Sequence, residues 1–240
     1  MAEAYVSANL APVLRLVLAS RSPARLATLR SAGVEPVVRV SGVDEEALLA
    51  DARRTGVLGP EDAVLLLAQA KAEDVARRTP AGGDAREGAT VADGSDTGGG
   101  VVVVGCDSML EIDGEVVGKP ATPEVARERW RAMRGGKGVL HSGHWLVDLR
   151  DADAGGTGAT VGATSSTTVW FGEMEDDEID AYVATGEPLE VAGAFTIDGL
   201  GGPYVDRVEG DHHGVVGISL PLLRALLRDI GVPWHTLRTA

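Results

Sequence analysis

The sequence predicts an α/β fold built on a mixed sheet. Three observations carry that reading. Short apolar runs of strand length alternate with segments of helical apolar spacing. Hairpin signals interrupt the alternation, so the sheet is not purely parallel. With 240 residues, 44% of them hydrophobic, the chain is long enough to bury a sizeable core, as one large domain or two small lobes.

The elements follow in order. Residues 14–19 form an apolar run of strand length, followed by Ser20-Arg21-Ser22 and Pro23. Ser22 as N-cap with Pro23 at the first helical position predicts a helix, with Leu26 and Leu29 on its apolar face and Gly33 at its end. A second helix starts at Gly59-Pro60, places Glu61 and Asp62 where the helix dipole favours acids, and runs to about Arg78. Residues 79–100 are rich in Gly, Asp, Thr and Ala without periodicity and read as a surface insertion. Val101, Val102, Val103 and Val104 predict a buried strand ending at Gly105-Cys106-Asp107. Residues 109–117 read as a hairpin turning at Asp113-Gly114. Thr122-Pro123 starts a helix with Ala126, Trp130 and Met133 on one face, and Gly135-Gly136 ends it. A strand over 139–149, a Gly-rich tip over 150–163 and a returning strand over 164–171 follow. Ile179, Tyr182 and Val183 mark a helix closed by Gly186. A Gly-rich loop region reaches about His213, and the last helix covers 221–230. No internal repeat is visible.

Composition narrows the function classes. Lys plus Arg is 22 and Asp plus Glu is 36, a formal net charge of −14. So acidic a chain is a poor binder of nucleic-acid polymers, which reward Lys and Arg clusters. A small anionic substrate requires a few cations to converge locally, or a metal ion to screen the charge. Cys106 is the single cysteine, which excludes an intramolecular disulfide and a Cys-rich zinc site. There is no evident signal peptide and no apolar run approaching the roughly 20 residues of a membrane helix. The expectation is a cytoplasmic protein without a membrane partner.

Several residues stand out as candidates for chemistry. Residues 20–25 bring hydroxyls and guanidinium groups to a helix N-terminus, whose free N–H groups favour phosphate. An ordinary capped helix is the commoner explanation of such a segment. Lys71 shares its helical stripe with Val64, Leu67, Ala68 and Val75, so it needs an acidic partner or an anionic ligand, or else it snorkels at the core edge. Asp107 closes an apolar strand, where a carboxylate binds a metal or acts as a base, though Asp is also a routine strand terminator. Lys119 follows the hairpin, and Asp44-Glu45-Glu46 supplies acids able to share a metal with Asp107. A solvated helix start is the plainer reading of those acids. His141 and His144 are three apart on a strand and point to opposite faces, which argues against a shared metal. Asp211-His212-His213 reads as polar loop, Cys106 as a small buried residue, and Trp130 and Trp145 as core.

In their order along the chain these pieces resemble the Maf family of nucleoside triphosphate pyrophosphatases. The matching blocks are LVLASRSPARLATLRSAGV, VSGVDEE, LAQAKA, VVGCDSMLEIDGEVVGKP, AYVATGEPLEVAGAFTIDGLGG and EGDHHGVVGISLPLL. The resemblance covers residues 16–232, interrupted by the two Gly-rich insertions, and makes residues 1–240 one domain. It implies an elongated mixed sheet flanked by helices, in two lobes with a cleft between. It implies hydrolysis between the α- and β-phosphates, assisted by Mg2+, with Mn2+ or Co2+ as alternatives. On the matching positions it makes Asp107 catalytic, Ser20, Ser22, Arg25, Lys71 and Lys119 phosphate-binding, Glu45 and Asp107 metal ligands, and Ser108 and Asp198 positions of base choice. The implied partner is a nucleoside triphosphate; a homodimer is left open.

Three positions depart from the family pattern. Ala24 stands where relatives often carry an arginine, while Arg21 is an added one nearby. Cys106 replaces an alanine. Asp198 replaces a glutamine tied to base choice in pyrimidine-specific members, and a carboxylate accepts hydrogen bonds where an amide also donates. A pyrimidine preference is therefore not carried over. Two other classes compete with it: a nucleotide-binding regulator of cell division acting at septum formation with little turnover, and a pyrophosphatase for purine or modified nucleotides. A panel of triphosphates assayed for pyrophosphate release separates all three.

Overall fold

The computed structural model describes residues 14–56, 58–80 and 100–238. The mixed sheet is present, with seven strands among the described residues. β1 (Arg15–Leu18), β2 (Val37–Val38), β3 (Val101–Ile112), β4 (Glu115–Val117), β5 (Lys137–Asp148), β6 (Thr160–Phe171) and β7 (Val205–Glu209) lie in the order β2-β1-β3-β5-β6-β7, with β4 paired to the far end of β3. β1 runs parallel to β2 and β3, and the remaining pairs are antiparallel. The helices are α1 (Pro23–Ser31), α2 (Glu45–Thr55), α3 (Pro60–Arg77), α4 (Pro123–Met133), α5 (Asp176–Ala184), α6 (His212–Val216) and α7 (Leu220–Asp229).

Residue type explains the local choices. Ser22 caps α1, with Pro23 in its first turn, and Thr122 caps α4 in the same way. Asp113 and Gly114 take φ of 50° and 83°, the left-handed pair that a tight hairpin between β3 and β4 requires. Asp44 caps α2, so the acids 44–46 do begin a helix.

The apolar residues divide into two main clusters. One joins Leu16 and Leu18 of β1, Leu29 of α1, Val102, Val104 and Cys106 of β3, and Leu223 and Leu227 of α7. The other gathers Leu110 around Trp130 of α4 and Tyr182 of α5, with Phe171 and Phe195. Trp130 meets Phe171, Tyr182 and Tyr204 edge-on at 5.6–6.0 Å between centroids. These clusters are the cores of the two expected lobes, and β3 runs through both. A smaller third cluster seals α3 against β1 and β3 through Ala72, Val75, Val101 and Val103.

The structure corrects the reading of β3. The strand does not end at residues 105–107 but continues to Ile112, pairing with β5 throughout. Gly105 is there because α3 lies directly on the strand: a Cβ at Gly105 would fall 2.1 Å from the Ala68 carbonyl oxygen. Gly143 on β5 serves the same approach, at 2.3 Å from the Val64 carbonyl oxygen. This close contact carries Lys71 up to Asp107.

Other differences are smaller. β6 begins at Thr160, four residues before the expected position, so the stretch 150–163 holds a 3-10 turn (Ala152–Ala154) and the first part of a strand. β7 lies inside the expected loop region, because its VDRVE sequence is a largely exposed edge strand without an apolar alternation. Asp211-His212-His213 is a helix start rather than a loop, with the Asp211 carboxylate accepting from the His213 and Gly214 N–H groups. Trp145 is half-buried, and its buried Nε1 has no hydrogen-bond partner among the described residues. Of the insertion read over 79–100, residues 81–99 lie outside the described residues.

Candidate active site

A cleft of about 920 Å3 opens between the lobes. One wall is the turn after β1 and the start of α1, residues 19–25, with Val40, Val43 and Glu45. The other carries Lys119 and the segment from Glu187 to Asp198. Lys71, Asp107 and Ser108 also line the cleft. All the candidate site residues therefore line one cavity, of a size that suits a nucleotide.

Lys71 reaches the cleft from a buried helix face. Its Nζ donates to Asp107 Oδ1 at 2.5 Å and lies 2.9 Å from Glu45 Oε1. Lys71 and Asp107 are each 8% exposed, so the ion pair is well shielded, while Glu45 is half exposed at the cleft rim. The open question about Lys71 is resolved: it has acidic partners and does not snorkel. Burial pushes the Asp107 carboxyl above its ordinary range, Lys71 and Arg25 pull it back, and Glu45 pushes it up again. Asp107 is thus a carboxylate of enhanced proton affinity held at a defined point.

Arg25 lines the same cleft, close enough to Asp107 for its charge to act on the carboxyl. Its Nε donates to the Gly217 carbonyl at 2.8 Å, its Nη1 to Ser20 Oγ at 3.0 Å and the Cys106 carbonyl at 2.9 Å, and its Nη2 to Ser108 Oγ at 3.0 Å. These bonds occupy four of the five N–H groups of a guanidinium. Arg25 therefore braces α1, β3 and the end of α6 together and, among the described residues, keeps one N–H for a ligand. Ser108 continues the brace to Ser142 Oγ at 2.8 Å, and Ser142 donates to the Gly214 carbonyl. Sequence reading missed this link, since Ser142 is fully buried and carries no local pattern.

The freer cations are Arg21 and Lys119. Both are exposed on opposite cleft walls, and among the described residues neither makes an ion pair or side-chain hydrogen bond. Ser20 and Ser22 are occupied in part: Ser20 Oγ accepts from the Ser22 N–H at 3.2 Å, and Ser22 Oγ from the Arg25 N–H at 3.4 Å. Asp198 is exposed on the cleft wall that carries Glu187.

Two further groups are excluded from the chemistry. Burial pushes the Cys106 thiol up to about 11, so it stays protonated and unreactive near neutral pH. Burial, then the charge of Arg25, lowers His144 to about 4. His144 is neutral: its Nδ1 faces the Ser142 carbonyl at 3.0 Å and its Nε2 accepts the Ser219 N–H at 2.8 Å. His141 turns the other way, to Glu111 and Ser166, so the two histidines do not share a site.

No cluster of three or more His, Cys, Asp or Glu able to hold a metal occurs among the described residues. Glu45 and Asp107 form a pair instead, both drawn to the one point that Lys71 Nζ occupies. Two carboxylates with open positions suit Mg2+, which usually binds through one or two carboxylates plus substrate phosphates.

Comparison with known proteins gives a consistent picture. A family model described as Maf-like protein matches residues 15–230. A Leifsonia xyli protein named nucleoside triphosphate pyrophosphatase is 54% identical over 225 residues, covering 93% of this chain and 96% of its own. Proteins of the same name from Streptomyces coelicolor (50% over 220 residues, 92% of each chain) and Salinispora tropica (51% over 220 residues, 92% of this chain and 85% of its own) are similarly close.

Proposed function

The chain belongs to the Maf-like protein family, and we propose that it hydrolyses nucleoside triphosphates to the monophosphate and pyrophosphate. The observation that carries this reading is the cleft itself. A buried base of raised proton affinity, Asp107, stands among cations inside a chain of net charge −14. The triphosphate lies along the wall formed by residues 19–25, where the α1 N-terminus and Arg21 meet it from one side and Lys119 from the other. Lys71 and the remaining N–H of Arg25 face the phosphates nearest Asp107.

Asp107 accepts a proton from the attacking water at its carboxylate. Attack at the α-phosphorus releases pyrophosphate, whose charge Arg21 and Lys119 offset as it departs. Arg25 holds β3 and α1 in register while this happens. Glu45 and Asp107 would hold a divalent ion, which when bound supplies charge screening and polarises phosphate oxygens.

Product analysis tests the reading. Purified protein with Mg2+ and a panel of ATP, GTP, CTP, UTP and dTTP should yield pyrophosphate and monophosphate from at least one substrate. EDTA should stop the release. Orthophosphate and a nucleoside diphosphate as first products would sink the proposal, and undiminished turnover in EDTA would remove the metal from it.

A further inference from the structure

Glu187 is absent from the chemistry described so far, yet it is the most heavily bonded carboxylate on the cleft wall. It opens a 3-10 turn (Glu187–Glu190) three residues beyond the end of α5. Its Oε1 accepts from Thr196 Oγ1 at 2.6 Å, the Tyr182 hydroxyl at 3.0 Å and the Gly201 N–H at 3.1 Å, and its Oε2 accepts from the Leu200 N–H at 3.1 Å. Four donors match the roughly four lone-pair sites of a carboxylate. Three of the four come from one loop, residues 196–201.

That loop is built around the carboxylate. A Cβ at Gly199 would lie 2.6 Å from Glu187 Oε2, and one at Gly201 would lie 2.5 Å from the Tyr182 hydroxyl oxygen. The glycines allow the backbone to close on the anion. Apolar anchoring is slight: Ile197 packs against the second cluster, while Leu200 is 56% exposed. Burial pushes the Glu187 carboxyl up, but the bonds from Thr196, Leu200, Tyr182 and Gly201 outweigh it and hold it below the usual range. The anchor is therefore a full negative charge at neutral pH. Between the tethered residues Thr196 and Leu200 sits Asp198, exposed and on the cleft wall.

We infer that Glu187 is a positioning residue for base recognition: it fixes the 196–201 loop so that Asp198 presents a hydrogen-bond acceptor to the base. The selected class is then bases that turn an N–H donor rather than a carbonyl oxygen towards Asp198. This rests on the pyrophosphatase reading and takes Asp198, on the cleft wall, as the position that meets the base.

The experiment compares Glu187→Gln, Asp198→Asn and the double variant with wild type, measuring kcat and KM for ATP, GTP, CTP, UTP and dTTP, and thermal melting. The Gln amide sets a donor against one of the four donors, so the loop loses its tether. For the preferred base KM should rise roughly tenfold, about the worth of one charge-assisted hydrogen bond. The ratio of kcat/KM between best and worst base should shrink by a similar factor, with kcat changed by less than about threefold. Adding Glu187→Gln to Asp198→Asn should compress the ranking little further, because both act through one contact. An equal rise of KM for every base, or a lowered melting temperature with the ranking intact, overturns the inference. Should Glu187→Gln fail to fold, Thr196→Val removes a single donor, and an unaltered ranking in it has the same force. Calorimetric affinities of the same triphosphates in EDTA give the ranking without turnover. If wild type binds them but releases no pyrophosphate, the proposed function fails while the ranking still decides the role of Glu187.

Discussion

Asp107→Asn is expected to lower turnover by on the order of 10² to 10⁴, the usual range for loss of a general base. The amide keeps the shape of the carboxylate, so the pairing of Asp107 with Gly143 across β3 and β5 should survive. It cannot accept a proton at neutral pH and is a poorer metal ligand. Binding should fall much less, because Arg21, Lys71 and Lys119 still meet the phosphates. The fold should not suffer. Asp107 has a folded pKa raised above its unfolded value, first by burial. Such a group contributes stability below its unfolded pKa and loses it as pH rises through the folded one. The Asn variant escapes that loss, and Lys71 retains Glu45, so at neutral pH it should melt no lower than wild type. Turnover, calorimetric affinity and melting on one preparation check all three expectations. Near wild-type turnover in folded Asp107→Asn would remove Asp107 from the mechanism.

Lys71→Ala should be the most damaging substitution for stability and activity together. It takes the cation from between Asp107 and Glu45 and leaves one buried carboxylate facing another acid. Breaking a buried pair by removing one partner costs about 3–5 kcal/mol, and somewhat less here, since Asp107 can neutralise by protonation. At roughly 2–4 °C per kcal/mol for a chain of this size, the melting temperature should drop by about 10 °C. Divalent ions should restore much of that, because the two carboxylates then have no competing cation. The acid limb of kcat/KM should move to higher pH, as Asp107 loses the charge that most lowers its pKa. Turnover should fall by about 10² or more, comparable to losing a positioned charge-stabilising group. Melting curves with and without Mg2+ at several pH values test this. An unchanged, metal-insensitive melting temperature would show that the three residues are not one electrostatic unit.

Local signals in the sequence exposed most of the frame. Ser22-Pro23, Gly59-Pro60 and Thr122-Pro123 each mark a helix start that the structure contains. The apolar stripe through Val64, Leu67, Ala68 and Val75 told that Lys71 faces inward, and its acids proved to be Asp107 and Glu45. What escaped was nonlocal. Gly105 resembles a strand breaker in sequence, and only the α3 backbone lying on it explains why β3 continues. Arg25 reads as a phosphate ligand, whereas its partners at Cys106, Ser108 and Gly217 lie 81 to 192 residues away and take most of its donors. Ser142 and Glu187 lack periodicity or motif geometry of their own, since each matters through the backbone it ties down.

The central claim is that water, oriented by Asp107, attacks the α-phosphorus. Hydrolysis in water enriched in oxygen-18, with the products resolved by mass spectrometry, tests it most directly. The account predicts one labelled oxygen in the nucleoside monophosphate and none in the pyrophosphate. Label in the pyrophosphate would place the attack at the β-phosphorus and contradict the arrangement of Asp107, Lys71 and Arg25 described here.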